Sequence, residues 1–277
     1  MNKVVKRLLT FFIGVPLVLF IVWLDYLNHL ALHIAFSVFT FFASIELWNM
    51  LSKKVKLFPK YLITVLTTLL PVISYIFVMT GKSIEITQWI VIFEFIFLMG
   101  IEAFVSKTFE FSVEKITRSL FILVYGGFLM TFLARIIELE NSTYIFALFI
   151  IFVFMCDSAA WFFGILFGKN NRGLFAASPN KSIAGFTGGI TTSILCGIFF
   201  KMLFPEIITA EYWKVIVLGL FTAVAAVIGD IIESVLKRSC EVKDSGNIIP
   251  GRGGVLDSID SIIVAAPVFY IVYYFLF

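Results

Sequence analysis

Residues 212–261 read YWKVIVLGLFTAVAAVIGDIIESVLKRSCEVKDSGNIIPGRGGVLDSIDS, and the reading of this stretch decides the fold. Its opening portion, 212–236, is long and apolar enough to cross a bilayer, which takes roughly 20 such residues. Charge then crowds into Asp230–Asp260 before a second apolar run, 255–277, closes the chain. Ionisable groups are costly beside lipid, so a cluster of them between two spans marks function.

The same pattern extends toward the N-terminus. Apolar runs at 8–24, 30–51, 61–80, 88–105, 119–137, 143–168 and 183–204 precede the two already named, giving nine expected spans. The chain of 277 residues is 61% hydrophobic and 14% charged, with mean hydropathy +1.04. Soluble domains are nearer half apolar and a quarter charged. The expected fold is all-α, a polytopic integral membrane protein with about nine transmembrane helices.

Basic residues set the orientation. All of the 21 Lys and Arg except Lys82, Arg135, Lys201 and Lys214 fall on the side that carries the N-terminus. They include Lys3, Lys6 and Arg7, then Lys53, Lys54, Lys56 and Lys60, and later Lys237, Arg238, Lys243 and Arg252. Cytoplasmic loops carry this excess, so the N-terminus is expected inside and the C-terminus outside. A basic inner face suits anionic headgroups and nucleotide phosphates. No long basic arm or aromatic-basic module suggests a nucleic-acid partner. The first apolar run imitates a signal peptide, but Asp25-Tyr26-Leu27-Asn28 follows it without a cleavage pattern, so it reads as a retained helix.

The halves differ in character. Residues 1–140 read as lipid-facing packing helices, with polar intrusions at Glu46, Asn49, Glu94 and Glu102 that are expected to pair with other helices. Residues 141–277 carry a polar face expected to be the active site. His29 and His33 stand at i, i+4 without a nearby third ligand and read as packing. Cys156, Cys196 and Cys240 show neither CxxC spacing nor a disulfide framework.

In that second half, Asp230, Glu233, Ser234 and Lys237 share one helix face, and Asp257 and Asp260 share another. Two acidic stripes can converge on a hard cation such as Mg²⁺, which also takes phosphate oxygens. Pairing of Asp230 and Glu233 with Lys237 and Arg238 is the plainer alternative. Between the stripes, Lys243 and Arg252 supply positive charge. Pro250-Gly251-Arg252-Gly253-Gly254 can turn backbone N–H groups toward an anion ahead of a helix. Ser178-Pro179-Asn180-Lys181-Ser182 offers hydroxyls and a Lys at another helix start, and Asp157 lies within a span.

This stretch resembles the signature of the phosphatidate cytidylyltransferases, S-x-x-K-R-x4-K-D-x-G-x3-P-G-H-G-G-x-x-D-R-x-D. The match falls on Ser234, Lys237, Arg238, Lys243, Asp244, Gly246, Pro250, Gly251, Gly253, Gly254, Asp257 and Asp260. Gly229, Asp230 and Glu233 resemble the family's GD-x-x-E. Ser178, Pro179 and Lys181 resemble its S-P-x-K turn, and Asp157, Trp161 and Gly164 resemble its D-x-x-[AG]-[YW]-x-x-G. The likeness covers about 157–267; further upstream only hydropathy is similar. Arg252 stands where the family has His, Ser258 where it has Arg, and Ala184 where it has Glu or Gln.

The resemblance implies a nucleotidyltransferase of phospholipid biosynthesis in a bacterial inner membrane, with its active site on the cytoplasmic side. It would transfer CMP from CTP to phosphatidic acid, giving CDP-diacylglycerol and pyrophosphate, and a homodimer is implied. Asp230, Asp257, Asp260 and Glu233 would hold Mg²⁺, and Asp244 would hold a second cation or orient Lys243. Asp257, Asp230, Lys237, Lys243 and Asp244 would be catalytic. Ser178, Lys181, Ser234, Arg238, Arg252, Gly253, Gly254 and Asp157 would bind substrate. Two other readings stay open: a relative with an impaired site or altered substrate, given Ala184, Arg252 and Ser258, and a transporter using the intramembrane carboxylates.

Overall fold

A computed structural model of the chain describes residue 14 and residues 16–249 and 251–277. Lys3, Lys6, Arg7, Pro250 and the start of the expected span 8–24 lie outside the described residues. Residues 16–23 are helical. Eight helical segments among the described residues are long and apolar enough to cross a membrane, and the protein is polytopic. Expected and observed ends mostly agree within four residues, because a bilayer fixes both the length and the apolarity of a span.

The chain forms two compact units, Met1–Glu138 with Cys240–Ser258, and Leu139–Ser239 with Ile259–Phe277. In the first unit, α1 spans Tyr26–Leu51, α2 Lys60–Thr80 and α3 Ile86–Val105. Leu27, Asn28 and His29 take positive φ, so the regular part of α1 starts after them. Its buried stripe includes Ala43, Glu46, Leu47 and Met50, spaced i, i+3, i+4 and i+7. His33 packs its ring against Tyr75 of α2, with centroids 4.7 Å apart.

The expected continuous span 119–137 needs correcting. It begins at Ser112 and consists of α4 (Ser112–Phe121), a π-helical segment Ile122–Phe128, and α5 (Thr131–Ile137). Leu129 N–H reaches back five residues to Val124 O, at 3.0 Å. The cause lies in packing. Pro71 has no N–H to offer the Thr67 carbonyl, and a Cβ on Gly127 would stand 2.8 Å from that oxygen. The wider π turn seats the bare glycine there.

In the second unit, α6 spans Ser142–Phe167, α7 Ile183–Leu203 and α8 Tyr212–Ser239. The last helix, α9 (Leu256–Leu276), starts in the first unit and continues in the second. Lipid tails are as apolar as leucine, so close packing and hydrogen bonds hold such helices together. Gly185 and Gly189, one turn apart on α7, supply the close approach to α6. A Cβ on either would stand 2.7 Å from a backbone carbonyl, that of Ala160 or Cys156. Ser193 Oγ then donates to Phe152 O at 3.0 Å. Phe146, Phe149, Phe152 and Phe269 are fully buried, and Phe149 meets Phe269 edge to face at 5.3 Å.

Candidate active site

The first unit contains the loop 240–255 and the first turn of α9. Its conformation follows from its glycines and two acids. Gly251 and Gly253 take φ of +84° and +118°, which residues with a Cβ rarely adopt. Ile249 and Gly253 close the turn: Ile249 N–H donates to Gly253 O at 2.8 Å, and Gly253 N–H donates to Ile249 O at 3.0 Å.

Asp257 Oδ2 accepts from Gly254 N–H at 2.7 Å, Ser245 N–H at 2.9 Å and the Ser245 hydroxyl at 2.8 Å. Glu46 of α1, buried to 3% exposure, accepts from Val255 N–H at 2.9 Å and Leu256 N–H at 2.8 Å, and it shares the single Ser245 hydroxyl proton with Asp257, Ser245 Oγ standing 2.9 Å from Glu46 Oε2. Lys243, Asp244 and Arg252 are exposed on this loop, and Asp257 is half-buried. Ser258 Oγ donates to Gly254 O at 3.3 Å.

One expectation therefore changes. The loop N–H groups that a ligand anion was to receive are engaged by the protein itself. Those of Arg252 and Gly253 go to Ile249 O, that of Gly254 to Asp257, and those of Val255 and Leu256 to Glu46. The anions at the start of α9 are internal carboxylates, which offset its positive dipole end. Gly254 is small for a steric reason: a Cβ there would collide with Ser245 Oγ and Glu46 Oε2.

The second unit gathers a separate polar set. Lys181 Nζ lies 2.5 Å from Asp230 Oδ2, joining the segment before α7 to α8. Lys237 Nζ lies 2.5 Å from Glu233 Oε2 along α8, with the Glu233 side chain only 1% exposed. Ser261 Oγ donates to Asp157 Oδ1 at 3.4 Å. Asp260 is buried and accepts from Ser261 N–H at 2.7 Å. Helices α8 and α9 cross at Gly229, where a Cβ would stand 2.5 Å from Asp260 O. Asp230 is the next residue along α8.

The loop before α7 is built to carry Lys181. Ser182 Oγ caps α7 by accepting from Gly185 N–H at 3.1 Å. Arg238 Nε donates to Ala177 O at 3.4 Å, and Ala184 N–H donates to Asn171 Oδ1 at 3.4 Å. Ser178 and Ser234 are half-buried, and Arg238 is exposed. An open apolar groove of about 340 Å³ is lined by Phe175, Phe186, Ile190, Ile228, Ile231 and Ile232 among others.

Among the described residues, no three His, Cys, Asp or Glu side chains group as metal ligands. Mg²⁺ needs less than that, since it commonly takes one or two carboxylates and fills its shell with water and substrate phosphates. Half-exposed Asp230 and buried Asp260 are hard oxygen donors of that kind, whereas Asp257 and Glu233, expected in the same set, are bonded to the loop and to Lys237.

Sequence reasoning missed the place of Glu46 in the loop. A lone acid within an apolar run was the signal, and its partners stand 199 to 210 residues further along the chain.

A polytopic helical membrane protein with paired acids and lysines in one unit and a glycine-shaped loop in the other is the class that fold and site define. The chain belongs to the cytidylyltransferase family, whose family model matches residues 5–276. It is 35% identical over 185 residues to the phosphatidate cytidylyltransferase of Bacillus subtilis strain 168, covering 65% of this chain and 66% of that one. It is 35% identical over 158 residues to the Haemophilus influenzae protein of that name, covering 53% and 54% of the two chains. Likewise it is 32% identical over 164 residues to that of Aquifex aeolicus, covering 59% of each. The matched stretches thus span between about half and just under two thirds of these relatives.

Proposed function

We propose that this protein transfers CMP from CTP to phosphatidic acid, giving CDP-diacylglycerol and pyrophosphate. The observation that carries the reading is the ordered loop. The family-like stretch Lys243–Asp257 folds around the Asp257 carboxylate with Lys243 and Arg252 exposed. The relatives bearing the phosphatidate cytidylyltransferase name support the choice of substrates.

In this reaction an oxygen of the lipid phosphate attacks the α-phosphorus of CTP. The bond from that phosphorus to the bridging oxygen breaks, and pyrophosphate leaves. A phosphomonoester loses its second proton near about pH 6, so the nucleophile is already ionised and no strong base is needed. Alignment and charge neutralisation carry the catalysis. Lys243 and Arg252 would neutralise nucleotide phosphate oxygens, while Asp257 keeps their loop in one conformation. Lys181, with Ser178 and Ser234, would receive a substrate phosphate, and Asp230 would hold Lys181 in place until it does. Mg²⁺, held by Asp230 and Asp260, would supply charge stabilisation of the leaving pyrophosphate. The apolar groove lined by Phe175, Phe186 and Ile231 suits an acyl chain.

The excess of Lys and Arg on one side supports a cytoplasmic N-terminus and a cytoplasmic reaction face. Bacterial relatives support a bacterial inner membrane. The test is pyrophosphate release from CTP by the purified protein, with and without phosphatidic acid and Mg²⁺. Release that requires both supports the reading. Release with a different lipid phosphate would support an altered substrate, to which Ala184, Arg252 and Ser258 point.

A further inference from the structure

We infer that Glu46 is a positioning residue for the reaction, acting on the Lys243–Asp257 loop through the Ser245 hydroxyl. This rests on the reading that the loop meets substrate phosphates. Glu46 sits on α1, and its partners among the described residues are three donors: Val255 N–H, Leu256 N–H and Ser245 O–H. No lysine or arginine is among them. A buried carboxylate held by such donors needs each of them, because a lost bond in a dry site leaves charge uncompensated.

Two further observations tie this acid to the loop's shape. Gly246 and Gly254 both lie against its carboxylate, and a Cβ on either would collide with Glu46 oxygens. Ser245 Oγ stands 2.9 Å from Glu46 Oε2 and 2.8 Å from Asp257 Oδ2, so one hydroxyl links the two acids. Ser245 directly follows Lys243 and Asp244, and Asp257 opens α9. The acid on α1 therefore sets where the loop's exposed charges stand. A residue of the packing half of the chain thereby serves the chemistry of the other.

The experiment uses the full chain in lipid nanodiscs and compares Glu46→Gln, Ser245→Ala and the double variant. Gln keeps the shape but sets its NH₂ against one of the two backbone N–H groups. Each single variant should lower kcat by about 10- to 100-fold, the range seen when supporting hydrogen bonds around a site are removed. The KM for phosphatidic acid should stay within about twofold, and the double variant should be no worse than Glu46→Gln. Glu102→Gln is the control. That buried acid bonds Ser106, Ser112 and Lys115 at 2.8, 2.6 and 2.5 Å, away from the loop. It should lose stability and keep kcat per folded molecule.

If Glu46→Gln behaves as the control does, the inference fails. If Glu46→Gln does not fold, Ser245→Ala decides, since it leaves both backbone bonds to Glu46 in place. An unchanged kcat in Ser245→Ala overturns the proposal. A parent protein inactive toward CTP and phosphatidic acid would instead remove the functional reading itself, and this inference with it.

Discussion

Lys181 Nζ stands 2.5 Å from Asp230 Oδ2, tying the segment that opens α7 to the polar face of α8. The two side chains are 19% and 40% exposed, so water screens the pair and it contributes about 1 kcal/mol or less to stability. Its value is placement. Asp230→Asn should lower turnover by about 100-fold or more, as loss of a charge-stabilising group does, while shifting thermal unfolding little. Kinetics and a melting curve on the same sample check both halves.

The second ion pair on α8 behaves differently. Glu233 is 1% exposed beside Lys237, so removing the lysine takes a bonded cation from a buried carboxylate. Lys237→Met should cost about 3–5 kcal/mol of stability. Replacing both, as Glu233→Gln with Lys237→Met, should restore much of the loss. Unfolding midpoints in mixed micelles of sodium dodecyl sulfate measure the difference.

Loop glycines should rank by what stands opposite them. Gly251 is exposed with φ +84°, so Gly251→Ala meets backbone strain of about 1–2 kcal/mol. Gly254 is buried against Ser245 and Glu46, and Gly254→Ala must push both aside. Turnover should fall to background for Gly254→Ala and only a fewfold for Gly251→Ala, read by pyrophosphate release.

The α6–α7 contact makes a prediction independent of activity. Cys156 is fully buried, and its carbonyl lies where a Gly189 Cβ would go. Gly189→Leu should force the helices apart and open the thiol to a small maleimide. Parent protein should label there at least about tenfold more slowly, as followed by mass spectrometry of the Cys156 peptide.

The spans were legible because 18 or more apolar residues leave few alternatives to a membrane helix. The π segment at Ile122–Phe128 was not, since it depends on Pro71 freeing the Thr67 carbonyl across the unit. Asp230, Glu233 and Lys237 were legible as one face from their spacing alone. Whether Asp230 would pair with Lys237 or with Lys181 was not, because Lys181 arrives from 49 residues earlier in sequence. Glycines near Arg252 suggested an anion cradle, and the structure shows carboxylates of the same chain there. Turn chemistry reads locally, whereas the identity of the anion depends on tertiary contact.

A single stoichiometric measurement tests CMP transfer by this protein most directly. Purified protein in phosphatidate-containing nanodiscs receives CTP and Mg²⁺, and pyrophosphate and CDP-diacylglycerol are counted together. Equal amounts of both are expected, and neither when phosphatidate or Mg²⁺ is withheld. Intact, folded protein yielding no lipid-linked CMP under these conditions would contradict it.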